Sequence, residues 1–375
     1  MAASDALRLT QELLRFNTIN PPGAEEPCAR HIGALLEAAG FRVKYHGFGS
    51  GRANLVATIG GQADKPPICF TGHIDIVPLG AKAWSHDPFA GETDDGRMYG
   101  RGSSDMKAGV AAFVCAAVEL AAHLDRTAGV SIVITAGEET GCQGAFDLVR
   151  TPGALGRAGA IVVAEPTGNF PYVGHKGAFW LQARTQGVTA HGSMPDKGVN
   201  AVYKAAKAVS CLEHYHFDTP AHELMGQGTL NVGTFSGGLN INSVPDQAVI
   251  GIDMRTVPTQ EHSHIRNDLS RVLGPDVDLH TLLDVESVYT DPDDAWVQRV
   301  FDIMQPYLGV RPEGRTATHF TDAAALKPAY GNPPTLILGP GEPQMAHQTD
   351  EYCVEERVRT ATRAFVEIMQ DWCCR

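Results

Sequence analysis

Apolar positions along this chain fall into two textures. In the first, short fully apolar runs alternate with helical stripes. Leu7, Leu13 and Leu14 follow Ser4 as candidate N-cap and predict a helix. Asn20-Pro21-Pro22-Gly23 breaks it. A second helix carries Cys28, Ile32, Leu35, Leu36 and Ala39 on one face and stops at Gly40. Strands are predicted over 41–45, 54–59, 68–71, 130–135 and 160–163, and an alanine-rich helix over 106–124. Strands alternating with helices predict an α/β fold, a mixed, largely parallel sheet flanked by helices.

Near residue 175 the texture changes. Stretches 179–185, 229–235 and 248–255 alternate between apolar and polar, with helices over 199–213 and 261–273. That predicts a small α+β unit with one exposed sheet face. The first texture returns with a helix over 295–308, a strand over 335–338 and a helix over 354–369. The expected organisation is a main domain of 1–176 and 290–375, interrupted by a smaller lid or dimerisation domain of 177–289.

Composition narrows the classes. The 375 residues are 43% hydrophobic, enough for two cores. A formal charge of -13 argues against a nucleic-acid groove and against attraction to an anionic membrane, yet leaves an anionic substrate open. No basic stretch followed by an apolar one opens the chain, so no secretory leader is expected. The longest apolar segment, 108–124, is interrupted by Glu119 and His123, so no membrane span is expected either. Eight cysteines without a C-x-x-C pair suggest a reduced, cytoplasmic protein.

Candidate chemistry sits where apolar runs end. His73 and Asp75 lie two residues apart and point to one side of a strand, a candidate ligand with its orienting group. Asp105 follows Gly100-Arg-Gly-Ser-Ser and opens a helix; an ordinary N-cap is the bland alternative. Glu138 and Glu139 follow a buried run, where one can ligate while its neighbour faces a water; a solvated acidic turn is the alternative. Glu165 ends a third run just before Pro166, and His347 sits in a Pro/Gly loop after a fourth. Two imidazoles with several carboxylates suit Zn²⁺, with Co²⁺ or Mn²⁺ as substitutes. They exceed the needs of one tetrahedral ion and suit two ions sharing a bridging carboxylate.

In order, the motifs GHIDIVP, GRGSSDMKAG, AGEETG, AEPT, AHGSMP and AHQTDE resemble the dinuclear zinc amidohydrolases. That family includes acetylornithine deacetylase, succinyl-diaminopimelate desuccinylase, aminoacylase and glutamate carboxypeptidase. The resemblance runs from about residue 15 to about 355. It implies that His73 and Glu165 bind one zinc, Glu139 and His347 the other, and that Asp105 bridges them. It implies Asp75 as the group orienting His73, Glu138 as general base, and a cis peptide after Asp105. His191, in isolation a surface-loop histidine, becomes an oxyanion donor from the smaller domain, reaching the partner's site in dimeric members. Arg255, with Asn242 assisting, would meet a substrate carboxylate; the bland reading of Arg255 is a solvent-facing strand residue. His175 is a candidate hinge residue near the domain junction. Thr321-Asp322-Ala323 resembles a loop that lines the family's substrate pocket, but His319-Phe320 stands where typical desuccinylases carry glycines. The expected partner is a small N-acyl amino acid or dipeptide, and the expected assembly a homodimer. Alternatives are a dipeptidase or carboxypeptidase of the same family, or an inactive metal-binding protein. A serine hydrolase lacks its G-x-S-x-G elbow here.

Overall fold

The computed structural model describes residues 5–61 and 64–374. Ser4 lies outside them. Asp5 caps the first helix, Ala6–Leu14, its side chain accepting from the Leu7 N–H. The chain divides into two compact units. One holds the chain through Gly174, Tyr289–Arg315 and the chain from Thr321 on; the other holds His175–Val288 and Thr316–Phe320.

The first unit is built on a six-stranded sheet. Its strand order is Arg42–Gly49, Arg52–Ile59, Val130–Thr135, Ile68–His73, Ala160–Val163 and Thr335–Ile337. The last four run parallel, and the first two form an antiparallel hairpin at one edge. The parallel strands are apolar and buried throughout, as strands covered on both faces must be. Ala108–Leu120 is buried on nearly every side and packs against Glu355–Cys373 and Ala6–Leu14. The stretch Ser103–His123 is long and apolar enough to cross a membrane by composition, but most of it is buried as this unit's core helix. At Gly109 a Cβ would lie 2.1 Å from the Ala164 carbonyl, so only glycine lets that helix sit against the turn carrying Glu165.

Several boundaries differ from the sequence reading. The His73 strand runs to His73 itself, and the long helix starts at Ala108, because an irregular turn occupies Ser103–Lys107. Helices Gln143–Arg150 and Ala323–Ala329 and the strand Val277–Val285 were not predicted. That strand buries few of its side chains and carries Asp278, His280 and Asp284, which blur its alternation.

The second unit is a four-stranded antiparallel sheet ordered Thr229–Gly237, Gln247–Thr256, Gly177–Gln186, Val277–Val285. Helices Ala201–Glu213 and His262–Leu273 cover one face, over Leu181, Ala183, Ile250 and Ile252. Trp180, Asp253 and Arg255 point to the other.

The turn at Ser103–Lys107 is held from far along the chain. Gly102 enters it at φ 86°, where a Cβ would lie 2.6 Å from Ile76. The Asp105–Met106 peptide is cis. The fully buried Glu351 carboxylate accepts from the N–H groups of Gly102 (3.0 Å), Ser104 (2.8 Å) and Asp105 (3.0 Å). Arg101 pairs with it at 2.6 Å and donates to the carbonyls of His347 and Gln348. One buried ion pair therefore ties the Asp105 turn to the His347 loop. Removing one member of a buried pair costs about 3–5 kcal/mol. Glu351→Ala is expected to lower the denaturant midpoint of the metal-free protein accordingly, and Glu351→Gln, which keeps an acceptor, to fall between. An Ala variant that unfolds at the parent midpoint would refute the anchoring.

Candidate metal centre

Three parallel strands deliver their last residues to one level. In register, His73 lies beside Thr135, and Thr71 beside Val163. The chain then turns through Gly137 into Glu138 and Glu139, and through Ala164 into Glu165. The fourth strand leads by a loop to His347, which is in the left-handed region at φ 63°.

His73 Nδ1 donates to the backbone carbonyl of Asp75 at 3.0 Å, so Nε2 faces inward. That Nε2 lies 3.2 Å from Asp105 Oδ1, 3.6 Å from Glu165 Oε1 and 4.0 Å from Glu138 Oε2. His347 Nε2 lies 3.4 Å from Asp105 Oδ2 and 3.0 Å from Glu139 Oε2. Two ligand groups result, His73–Asp105–Glu165 and Asp105–Glu139–His347, with Asp105 common to both. Glu138 stands beside the first group and belongs to neither.

The Asp75 carboxylate lies 3.5 Å from His73 Nδ1, and its hydrogen bonds go elsewhere. It accepts from the N–H groups of Glu138 (3.1 Å) and Glu139 (3.3 Å) and from Asn20 Nδ2 (2.9 Å). Asp75 orients His73 chiefly through its own carbonyl and uses its carboxylate to fix the Glu138-Glu139 turn. Asn20, read from sequence only as part of a chain break, also bonds Thr140.

Burial and mutual repulsion dominate the electrostatics. Burial, then the neighbouring Asp105, pushes Glu139 up to about 7 and Glu165 well above the usual carboxylate range. Burial raises Glu138 strongly too, with Glu165, Glu139 and Asp322 adding to it against His73. Burial opposes charge on His73, but the carboxylates around it raise it well above an ordinary imidazole. Hydrogen bonds to Asp105 and Glu139 carry His347 up to about 10. Asp105 goes the other way: its two histidines outweigh burial and hold it far below the usual range. Glu139 Oε1 is buried without a hydrogen-bond partner. An unpaired buried oxygen among crowded carboxylates and two imidazoles is the donor set that divalent ions satisfy.

The other sequence-predicted residues lie in the second unit. His191 is exposed and its Nδ1 meets Ser193 Oγ at 2.8 Å. Its loop joins that of Asn242, whose carbonyl accepts from Gly192 N–H at 2.7 Å. Arg255 is engaged: its Nε and Nη2 hold Asp253 at 3.0 and 3.2 Å beside Trp180. His175 is fully buried, which pushes it down to about 3 and keeps it neutral. A further group, His262 with Asp284 and Glu286, has both ring nitrogens satisfied, by Thr256 Oγ1 (2.7 Å) and Asp284 (2.6 Å).

Sequence reasoning missed Arg101 and Glu351, although both stand inside the motifs that carry Asp105 and His347. Asp322 is buried behind Glu138 and accepts from Thr135 Oγ1 at 2.5 Å, and burial raises it to about 6.

Comparison with known proteins follows the same lines. Residues 69–371 match the description of Peptidase family M20/M25/M40. A probable succinyl-diaminopimelate desuccinylase of Staphylococcus epidermidis is 30% identical over 385 aligned residues, covering 94% of each chain. An acetylornithine deacetylase of Myxococcus xanthus is 31% identical, covering 89% of each. The fold is shared with an M20 family metallo-carboxypeptidase of Sulfolobus solfataricus at TM-score 0.81 and 19% identity, covering 98% of this chain and 99% of that one. With a family match spanning most of its length and a site of this composition, the chain belongs to Peptidase family M20/M25/M40 and is a hydrolase of amide bonds.

Proposed function

We propose that this enzyme removes the acyl group from an N-acyl amino acid by water attack at a two-metal centre. The observation that carries the reading is the pair of ligand groups meeting at Asp105, with the Glu138 carboxylate beside them. His73 and Glu165 would hold one ion and Glu139 and His347 the other, with Asp105 common to both groups. Zinc suits the donors, with cobalt or manganese as substitutes. Bound there, such ions would lower the pKa of a water towards about 7 and polarise the scissile carbonyl.

The chain's own groups do the rest. Glu138 Oε takes the proton of the attacking water and returns it to the leaving nitrogen, and burial suits it to hold that proton. Asp75, through the Glu138 N–H, keeps the carboxylate aimed. His191 is assigned to the developing oxyanion, and Arg255 with Asn242 to the substrate carboxylate. Resemblance and donor chemistry support these roles. Binding through Arg255 has to draw the guanidinium away from Asp253. A homodimer is part of the same reading, supported by the exposed edge strand Thr229–Gly237. Dipeptide hydrolysis is the second reading, favoured by the family's peptidase description.

A hydrolysis screen over N-acetyl and N-succinyl amino acids and dipeptides, with zinc, cobalt and manganese, tests the substrate class. Turnover of dipeptides alone would replace the first reading by the second. Glu138→Ala is expected to retain metal by elemental analysis while kcat falls about 10²–10⁴-fold; full activity would remove Glu138 from the mechanism.

Stripping the metal should expose the site's own titration. Glu139 is raised from 4.5 to about 7, so the folded protein binds its proton more tightly and loses stability as pH rises through that window. His347 is raised from 6.5 to about 10, and its stabilisation is likewise lost as pH climbs between those values. Thermal unfolding of the metal-free enzyme is therefore expected to come at lower temperature at pH 9 than at pH 5. A rise over that range would contradict the assignment.

A further inference from the structure

A groove of about 470 Å³ lies on the first unit, between the edge hairpin and the loop that follows helix Gln143–Arg150. Its walls bring together Arg42 and Lys44 from the edge strand, Lys65 from the segment before the His73 strand, and Arg157 from the loop. Among the described residues no carboxylate lines it, although acidic side chains outnumber basic ones by 43 to 30 in the chain. Arg42 and Lys44 are paired in register with Thr58 and Val56, so both project to the same side of the hairpin.

Several arginines of this unit are held by direct ion pairs, among them Arg52 with Glu25, Arg101 with Glu351, Arg299 with Asp371 and Arg311 with Asp302. In the groove, Lys65 is occupied by the Trp372 carbonyl at 2.8 Å and the face of its ring. Among the described residues Arg42, Lys44 and Arg157 have no carboxylate partner. Cations gathered from three chain segments repel one another unless an anion joins them. Thr58 adds a hydroxyl donor to the floor, and Gly156, where a Cβ would meet nothing within 4 Å, leaves the mouth open. The volume is that of a small-metabolite site.

Lysine and arginine on an edge strand also serve to discourage edge-to-edge pairing. That role accounts for Arg42 and Lys44 and leaves Lys65 and Arg157, which lie off the edge, unexplained. The groove is far from the metal centre. Arg42 and Lys44 stand on the edge strand, three strands from Ile68–His73 in the sheet order, and Lys65 precedes that strand, so at the spacing of neighbouring strands the edge lies roughly 14 Å to the side of His73.

We infer that this groove binds a phosphoryl-bearing small anion, as a second ligand site at the edge of the sheet, apart from catalysis. Guanidinium groups supply forked donors for phosphoryl oxygens and the lysines supply point charge. Free polyphosphate and nucleoside phosphates share that chemistry.

The test titrates the metal-loaded full chain with inorganic pyrophosphate, ATP and adenosine by calorimetry. The wild type is compared with the triple variant Arg42→Ala, Lys44→Ala, Arg157→Ala. Anions that reach the catalytic ions bind both proteins alike, so the difference reports the groove. We expect the variant to lose at least about tenfold in pyrophosphate affinity, with unchanged thermal unfolding. The double variant Arg42→Lys, Arg157→Lys should keep most of the binding. ATP binding more tightly than pyrophosphate, with adenosine inert, identifies a nucleoside phosphate; equal affinities identify free polyphosphate. Equal binding by wild type and triple variant, or none by either, overturns the site and leaves these cations as guards of the sheet edge.

Discussion

Four ionisable carboxyl groups, Asp105, Glu138, Glu139 and Glu165, converge within a few ångströms in a site buried at His73, Glu138 and Glu165 and open at His347. Like charges so placed cannot all ionise without positive charge among them. Two imidazoles supply part of that charge, and divalent ions are suited to supply the remainder. The surrounding architecture works against the repulsion: three parallel strands end at one level, their turns are stitched by hydrogen bonds, and a buried helix is pressed against the Glu165 turn. The repulsion suits the site to divalent ions, and the scaffold holds the carboxylates together against it.

Two more acids do the stitching and stand outside the ligand groups. Asp75 spends its carboxylate on backbone N–H groups of the Glu138-Glu139 turn, and Glu351 on those of the Asp105 turn. The division is between carboxylates satisfied by backbone donors and carboxylates left facing a charge yet to arrive. Arg101 extends the second anchor to the carbonyls of the His347 loop, which helps to hold that histidine in its left-handed conformation.

Much of this was legible in the sequence because the parallel strands are uniformly apolar and end abruptly in polar groups. His73, Glu138, Glu139 and Glu165 each follow such an end, Asp105 opens the buried helix and His347 lies in the loop after the last strand, and the strand order then brings them together. What stayed hidden depends on long-range pairing. Nothing local in Glu351 announces that it accepts three backbone N–H groups some 246–249 positions earlier. The Asp253 partner of Arg255 sits two residues away, yet i and i+2 on a strand read equally well as independent side chains. Helix Gln143–Arg150 begins on a left-handed cysteine without a side-chain cap and carries too few apolar positions to stand out. The groove cations come from separate segments and gain meaning only when folded together.

The Glu351 anchor also sets an order on the making of the molecule. The Asp105 turn is synthesised 246 residues ahead of the carboxylate that fastens it, an interval of roughly 12–50 s at about 5–20 residues per second. Once Glu165 has been added, His73, Asp105, Glu138, Glu139 and Glu165 are all in the chain, while His347 and Glu351 are still to come. Closure of the Asp105 turn onto the His347 loop therefore waits on the carboxyl-terminal segment.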